Sequence, residues 1–299
     1  RNTGQAQGFV HCLVLPCTAF FLSSCTMNLE FKTIAVSKLA EGVHHVELNR
    51  PEKRNAMNWT FWHECRQVFD ALAVDADCRA IVLSGRGKGF SAGLDLMDAD
   101  NRPPLGEDVA RNGLKFITHV KPMQEAMTAI ERCLKPSVAV VHGSCVGGGI
   151  DLLAATDIRV CTADALFCIK EASLGLAADV GTLARLPKIV GNDSIVRELA
   201  LTAREFGSEE AKSFGFVSRV LPTQALALEE AAQIAGMIAA NSPVAVVGTK
   251  HNLNYARNHT IQDALDYVAT WNAGMLQTED LMKAVAASMQ KVKPEFSKL

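Results

Sequence analysis

The sequence predicts an α/β fold, with strand–turn–helix units first and a helical part at the C-terminal end. Three observations carry this expectation. Short apolar or alternating runs recur through the first two thirds of the 299 residues, and several are closed by glycine-bearing turns. Helical periodicity dominates from about residue 181. The composition, 48% hydrophobic and 21% charged, is that of an ordinary globular chain and excludes disorder as the main state.

The elements follow in order. Thr33–Ser37 and Val43–Leu48 alternate as two short strands around Glu41-Gly42. Asn58–Leu72 is helical, because Phe61, Cys65, Val68, Phe69 and Leu72 share one face and Asn58 can cap the N-terminus. Ala80–Ser84 is a short apolar run suited to a buried strand, followed by the loop Gly85–Gly93. Residues 98–113 are polar, contain Pro103-Pro104 and read as a mobile loop ahead of a helix over about 116–133. Ser137–His142 is another strand, and Gly147-Gly148-Gly149 opens the next helix. Short strands are expected near Ile158–Cys161 and Leu166–Ile169. A helix begins near Gly181, another spans Ala225–Ala240 with a stripe through Leu228, Ala231, Ala232, Ala235 and Ile238, and Ile261–Val292 forms a helical tail. The expected division is residues 1–26 outside the fold, a core over 27–220 and a helical region over 221–299.

Lys plus Arg number 30 against 32 Asp plus Glu, a formal net charge of −2, which argues against a general nucleic-acid binder. The nine cysteines run from Cys12 to Cys168 without a CxxC pair, and no HExxH occurs among the eight histidines. A zinc site or disulfide framework is not expected; the cysteines read as small buried apolar residues in a reducing compartment. The apolar run Phe9–Leu22 is interrupted by His11 and Pro16 and is too short to span a bilayer, so no membrane span is expected there. Residues 1–26 are read as unstructured, as lying upstream of a start at Met27, or as a targeting segment that is removed. Ser297-Lys298-Leu299 reads as a peroxisomal address recognised by an import receptor.

Two glycine turns that follow strands are candidates for chemistry: Ser91-Ala92-Gly93-Leu94-Asp95-Leu96 and Gly147-Gly148-Gly149-Ile150-Asp151. Neither matches a dinucleotide fingerprint or a phosphate-binding P-loop. Backbone N–H groups converging from two such loops would make an oxyanion hole, although tight turns alone would explain the glycines equally well. Three acids lie nearby in sequence. Asp151 follows the glycines, Glu171 follows the strand near 166–169, and Asp179 stands in an apolar stretch with no neighbouring cation. A buried, unpaired carboxylate is pushed toward its neutral form. The competing structural roles are a first-turn helix acid for Asp151, an ion pair with Lys170 for Glu171 and a helix cap for Asp179. Spacing alone does not bring the three side chains together.

At these residues the sequence resembles the crotonase superfamily, also called the enoyl-CoA hydratase/isomerase family. The likeness covers about residues 30–290 and rests on Asn49-Arg50-Pro51-Glu52-Lys53-Arg54-Asn55-Ala56-Met57, the Ser91–Leu96 loop and the Gly147–Asp151 turn. Within the family, the segments Gly147–Asp151, Ile169-Lys170-Glu171 and Leu176–Leu183 are similar to members that convert 3,5-dienoyl-CoA into 2,4-dienoyl-CoA. Hydratases of the family carry Glu where this chain has Asp151 and a small residue where it has Asp179.

The resemblance implies a ββα spiral core with a C-terminal helical trimerisation region, assembled as a homo-hexamer built from a dimer of trimers. It implies an oxyanion hole from the backbone N–H groups of Ala92 and Gly148, which hold the thioester carbonyl of a fatty acyl-CoA. Ala92, Gly93, Leu94, Asp95 and Leu96 would run along the CoA moiety, and Lys53 and Arg54 are candidates for its phosphates. Glu171 is expected to act as base at C2 and Asp179 as acid at C6, with Asp151 tuning the pair; the exchange of roles between Glu171 and Asp179 stays open. No metal or redox cofactor is expected, since CoA belongs to the substrate. The peroxisome or a related organelle such as the glycosome is the expected location, with the mitochondrion as a second site. An enoyl-CoA hydratase and a catalytically silent acyl-CoA binder are the alternatives.

Overall fold

The computed structural model describes residues 31–103 and 105–299; the expectation for residues 1–26 lies outside them. The elements are β1 (Ile34–Ala40), β2 (Val43–Leu48), α1 (Trp59–Val74), β3 (Ala80–Gly85), α2 (Val109–Arg132), β4 (Ser137–Val141), β5 (Ser144–Val146) and α3 (Gly148–Ala154). There follow β6 (Ile158–Thr162), β7 (Leu166–Cys168), α4 (Thr182–Val190), α5 (Asp193–Thr202), β8 (Glu205–Gly207), α6 (Ser208–Ser213) and β9 (Arg219–Leu221). The chain then runs through α7 (Gln224–Ala239), α8 (Pro243–Ala256), α9 (Ile261–Met275) and α10 (Glu279–Gln290).

The strands form a six-stranded sheet in the order β1-β2-β3-β4-β6-β9 and a three-stranded sheet in the order β5-β7-β8. In the larger sheet β1 and β2 are antiparallel and every later pairing is parallel, with Val43 opposite Ala80 and Leu48 opposite Gly85. The period-2 alternation of β3 explains its continuous apolar run. Ala80 and Val82 pack with α7, while Ile81 and Leu83 join Phe61, Trp62, Phe69, Met127 and Ile130 on the other face. Helix α7 thus covers the large sheet itself, so the helical part expected from residue 221 starts on the core.

Two expectations are corrected here. Helix α2 begins at Val109 rather than near 116, because the Asp108 side chain accepts the Arg111 N–H at 2.9 Å and caps it; the loop expected over 98–113 is correspondingly short. The tail from Ile261 is two helices broken at Leu276–Thr278, where the Thr278 side chain starts a new N-terminus. Strands β8 and β9, three residues each, are too short for any periodicity and were not expected. Among the described residues no single helix is long and apolar enough to cross a bilayer.

Parallel strands place their C-terminal ends on one side of the sheet, where connecting loops gather. The loops after β3 and β4 are stitched there. The Ser91 N–H donates to the Ser144 carbonyl at 3.1 Å, and the Val146 N–H donates to the Ser91 carbonyl at 3.0 Å.

Candidate active site

The loop after β3 is held by Asn55, whose side-chain amide donates to the carbonyls of Arg86, Gly89 and Phe90 at 2.9, 3.1 and 3.0 Å. Within that loop the Ala92 N–H donates to the Arg54 carbonyl at 2.9 Å, and the Asp95 N–H to the Met57 carbonyl at 2.9 Å. The Gly93 N–H donates to the Ser91 hydroxyl at 3.1 Å. From Ser91 to Asp95, Leu94 alone has an N–H without a hydrogen-bond partner among the described residues. The expectation that Ala92 supplies an oxyanion-hole donor is therefore corrected: its N–H is engaged by Arg54, and the available donor lies two residues on.

In the glycine turn, the Gly147 N–H is taken by the Cys168 carbonyl at 2.9 Å, whereas the Gly148 N–H has no partner among the described residues. The two free groups adjoin, since a Cβ built on Gly148 would lie 3.8 Å from the Leu94 nitrogen. Both loops need glycine to come this close. Gly93 has φ +82, and a Cβ on it would sit 2.6 Å from the Val146 carbonyl oxygen; Gly147 has φ +50 and faces the Glu171 carboxylate.

Three acids act on one another here, and Glu171 lies beside the glycine turn. Asp151, in the first turn of α3, is fully buried. One of its oxygens accepts the Thr182 N–H at 2.5 Å and the other is buried without a partner among the described residues. Burial pushes the carboxyl up to about 6, helped by the charge of Asp179 and opposed by the Thr182 hydrogen bond and by Arg185.

Glu171 opens a short 3-10 turn, and its Oε1 lies 3.2 Å from where a Cβ on Gly147 would stand, beside the free donors. Its Oε2 is buried without a partner among the described residues. Burial first, then the negative charge of Asp151, raises it to about 7. No ion pair forms with Lys170 among the described residues, so that competing role falls away.

Asp179 is partly buried, and burial raises its carboxyl as well. It does not cap α4: the residue preceding that helix is Gly181, and the carboxylate meeting its first turn is Asp151. Its carbonyl accepts from the Gln124 amide at 2.7 Å, and the residue lines a cleft of about 410 Å³ together with Gln124, Thr128, Leu183 and Arg185.

Of the residues expected to follow CoA, Ala92 and Leu96 are exposed, whereas Asp95 is locked to Arg50 at 3.0 Å. Lys53 and Arg54 are exposed on the adjoining turn. Sequence reasoning missed Leu94 as a donor, Asn55 as the loop's anchor and Gln124 as a contact of Asp179. Asn55 lay within the motif quoted for the family, and Gln124 belongs to a polar stripe on α2 that periodicity could have exposed.

Two free backbone donors facing a group of raised carboxyls define a site for chemistry at a carbonyl with proton transfer. The comparisons agree. The enoyl-CoA hydratase/isomerase family model matches residues 38–298, and the chain belongs to that family. It is 50% identical over 274 residues to the mitochondrial Δ(3,5)-Δ(2,4)-dienoyl-CoA isomerase of Rattus norvegicus, covering 90% of this chain and 84% of that protein. It is 43% identical over 279 residues to the peroxisomal Δ(3,5)-Δ(2,4)-dienoyl-CoA isomerase of Arabidopsis thaliana, covering 91% of this chain and all of that protein. Among solved structures, a putative enoyl-CoA hydratase from Streptomyces coelicolor matches with a TM-score of 0.82 at 26% identity, over 93% of this chain and 99% of that one.

Proposed function

We propose that the protein is a Δ3,5-Δ2,4-dienoyl-CoA isomerase, which moves both double bonds of a 3,5-dienoyl-CoA into conjugation with the thioester. The observation that carries the reading is the trio Asp151, Glu171 and Asp179, with each carboxyl raised by burial, beside two free backbone N–H groups. Identity of 43–50% with isomerases named for this reaction supports it.

In the proposed mechanism Glu171 removes a proton from C2. Its pKa of about 7 keeps a useful fraction ionised near neutrality while leaving it a competent base. The electrons shift into a dienolate whose oxygen accepts hydrogen bonds from the Leu94 and Gly148 N–H groups, each worth about 2.7–4 kcal/mol to the transition state. Asp179, whose carboxyl is also raised by burial, delivers a proton to C6, and the chain of double bonds closes as the 2,4-diene. One proton leaves the substrate and one arrives, so after turnover Glu171 is protonated, Asp179 is ionised, and solvent resets both. Asp151 raises Glu171 through its charge. Electrons stay within the substrate, and the step calls for neither a redox cofactor nor a metal.

The substrate is a fatty acyl-CoA thioester. Exposed apolar side chains on the last helices, including Ile261, Leu265, Met282 and Met289, support self-association into a homo-hexamer through this region. Relatives include both mitochondrial and peroxisomal isomerases, and Ser297-Lys298-Leu299 supports peroxisomal delivery for this chain.

The test is direct. Purified protein is mixed separately with a 3,5-dienoyl-CoA and a 2-enoyl-CoA. Growth of conjugated-diene absorbance from the first substrate is the expected result. Loss of enoyl absorbance from the second without isomerisation of the first would identify a hydratase, and no reaction with either would leave a silent binder.

A further inference from the structure

One face of α2 carries Gln124, Thr128 and Glu131 at i, i+4 and i+7, so the three side chains form a single polar stripe. All three grip the same segment of chain. Gln124 donates from Nε2 to the Asp179 carbonyl at 2.7 Å. Arg185 donates from Nη2 to the Thr128 hydroxyl at 3.2 Å and from Nε to the Glu131 carboxylate at 2.8 Å. Glu131 is itself anchored, because it also accepts from Arg257 at 2.7 Å and its carbonyl accepts from Asn254 at 3.0 Å. Residues 179–185 are thus held at both ends by one helix.

The Asp179 side chain makes no hydrogen bond or ion pair with another residue among the described residues, and only its own backbone N–H bears on the carboxyl, so its main chain decides where the carboxyl points. The other half of the site hangs on different supports. Glu171 follows β7, Gly148 starts α3, and Leu94 is placed by the loop that Asn55 holds. Neither Gln124 nor Glu131 is hydrogen-bonded to any of these.

We propose that Gln124 is a positioning residue for proton delivery at C6: it aims Asp179 through its main chain, and the Glu131–Arg185 pair is the second anchor of the same clamp. The proposal rests on the isomerase reading above. It means that removal of the C2 proton and delivery of the C6 proton can be uncoupled by substitutions on α2.

The test compares Gln124→Met, which keeps length but cannot donate, and Glu131→Gln, which keeps shape but loses charge, with the wild type in D₂O. Conjugated-diene formation is followed by absorbance, and deuterium at C2 of recovered 3,5-dienoyl-CoA by mass spectrometry. Circular dichroism and melting identify any variant that has not folded, and the other variant then carries the test. Both variants should lower kcat about tenfold through misplacement of the acid, with KM within about twofold. The ratio of C2 exchange to product should rise about tenfold, because Glu171 and the oxyanion donors are carried by elements other than α2. Exchange and product falling in parallel would reduce the clamp to a structural contact, and wild-type ratios in both variants would also overturn the proposal. A wild type that forms no conjugated diene would instead overturn the isomerase reading on which the proposal stands.

Discussion

Asp151→Asn should flatten the dependence of stability on pH. The Asp151 carboxyl is fully buried, and burial moves it from 3.8 to about 6 even though the Thr182 N–H at 2.5 Å favours the ionised form. A folded-state pKa above the unfolded one means that the native protein holds this proton more tightly than the unfolded chain does. The stabilising contribution is therefore complete below the unfolded value and is lost as pH rises through the folded value. The gap between 3.8 and about 6, at about 1.36 kcal/mol per decade, amounts to about 3 kcal/mol. Asparagine keeps the shape and an oxygen for the Thr182 N–H, but it does not titrate. Between about pH 4 and pH 7 the wild type should lose about 2 kcal/mol more stability than the variant, the greater part of that difference. Urea unfolding at fixed protein concentration, at several pH values across that window, measures the difference. The charge of Asp151 also raises Glu171, so in the variant the acidic limb of the kcat profile, near pH 7 in the wild type, should move to lower pH. A variant with the wild-type stability slope and an unmoved limb would refute the account of the site as one group of coupled buried acids.

Other consequences can be checked separately. Glu171→Gln and Asp179→Asn should each lower the isomerisation rate by at least about 100-fold, measured as diene absorbance, while circular dichroism stays native. Near-normal turnover in Asp179→Asn would remove the proton donor at C6. Gly147→Ala forces a side chain into φ +50 and places its Cβ 3.2 Å from Glu171 Oε1. It should cost about 1–3 kcal/mol in denaturant unfolding and depress kcat at the same time, and retention of both would show that the turn has slack. Deleting Ser297–Leu299 should release the protein from peroxisomes in cell fractionation without changing turnover in vitro; co-sedimentation of the shortened protein with the organelle would point to another signal.

The sequence by itself determined the elements whose signal is local. Val43–Leu48 is a strand as expected, α1 begins after Asn58, whose side chain accepts the Phe61 N–H at 3.1 Å, and α3 opens on the glycine run. These depend on period-2 or period-3.6 burial, on a cap or on backbone freedom, all of which are written within a few residues. Asp179 also stood out in the sequence, as a carboxyl in an apolar stretch with no neighbouring cation.

Only the tertiary structure decided which groups meet. Asp151 and Thr182 are 31 positions apart and share a hydrogen bond because α3 and α4 pack together; Gln124 and Asp179 are 55 apart. Which backbone N–H of the Ser91–Leu96 loop is left free shows the limit most clearly. Ala92 and Leu94 sit in the same glycine loop, and no pattern in that loop separates them. Arg54, on a different segment, engages the Ala92 N–H, while Met57 pairs with both neighbours of Leu94 and leaves its N–H free. Which backbone donor remains available depends on where distant carbonyls come to rest, and only long-range packing fixes that.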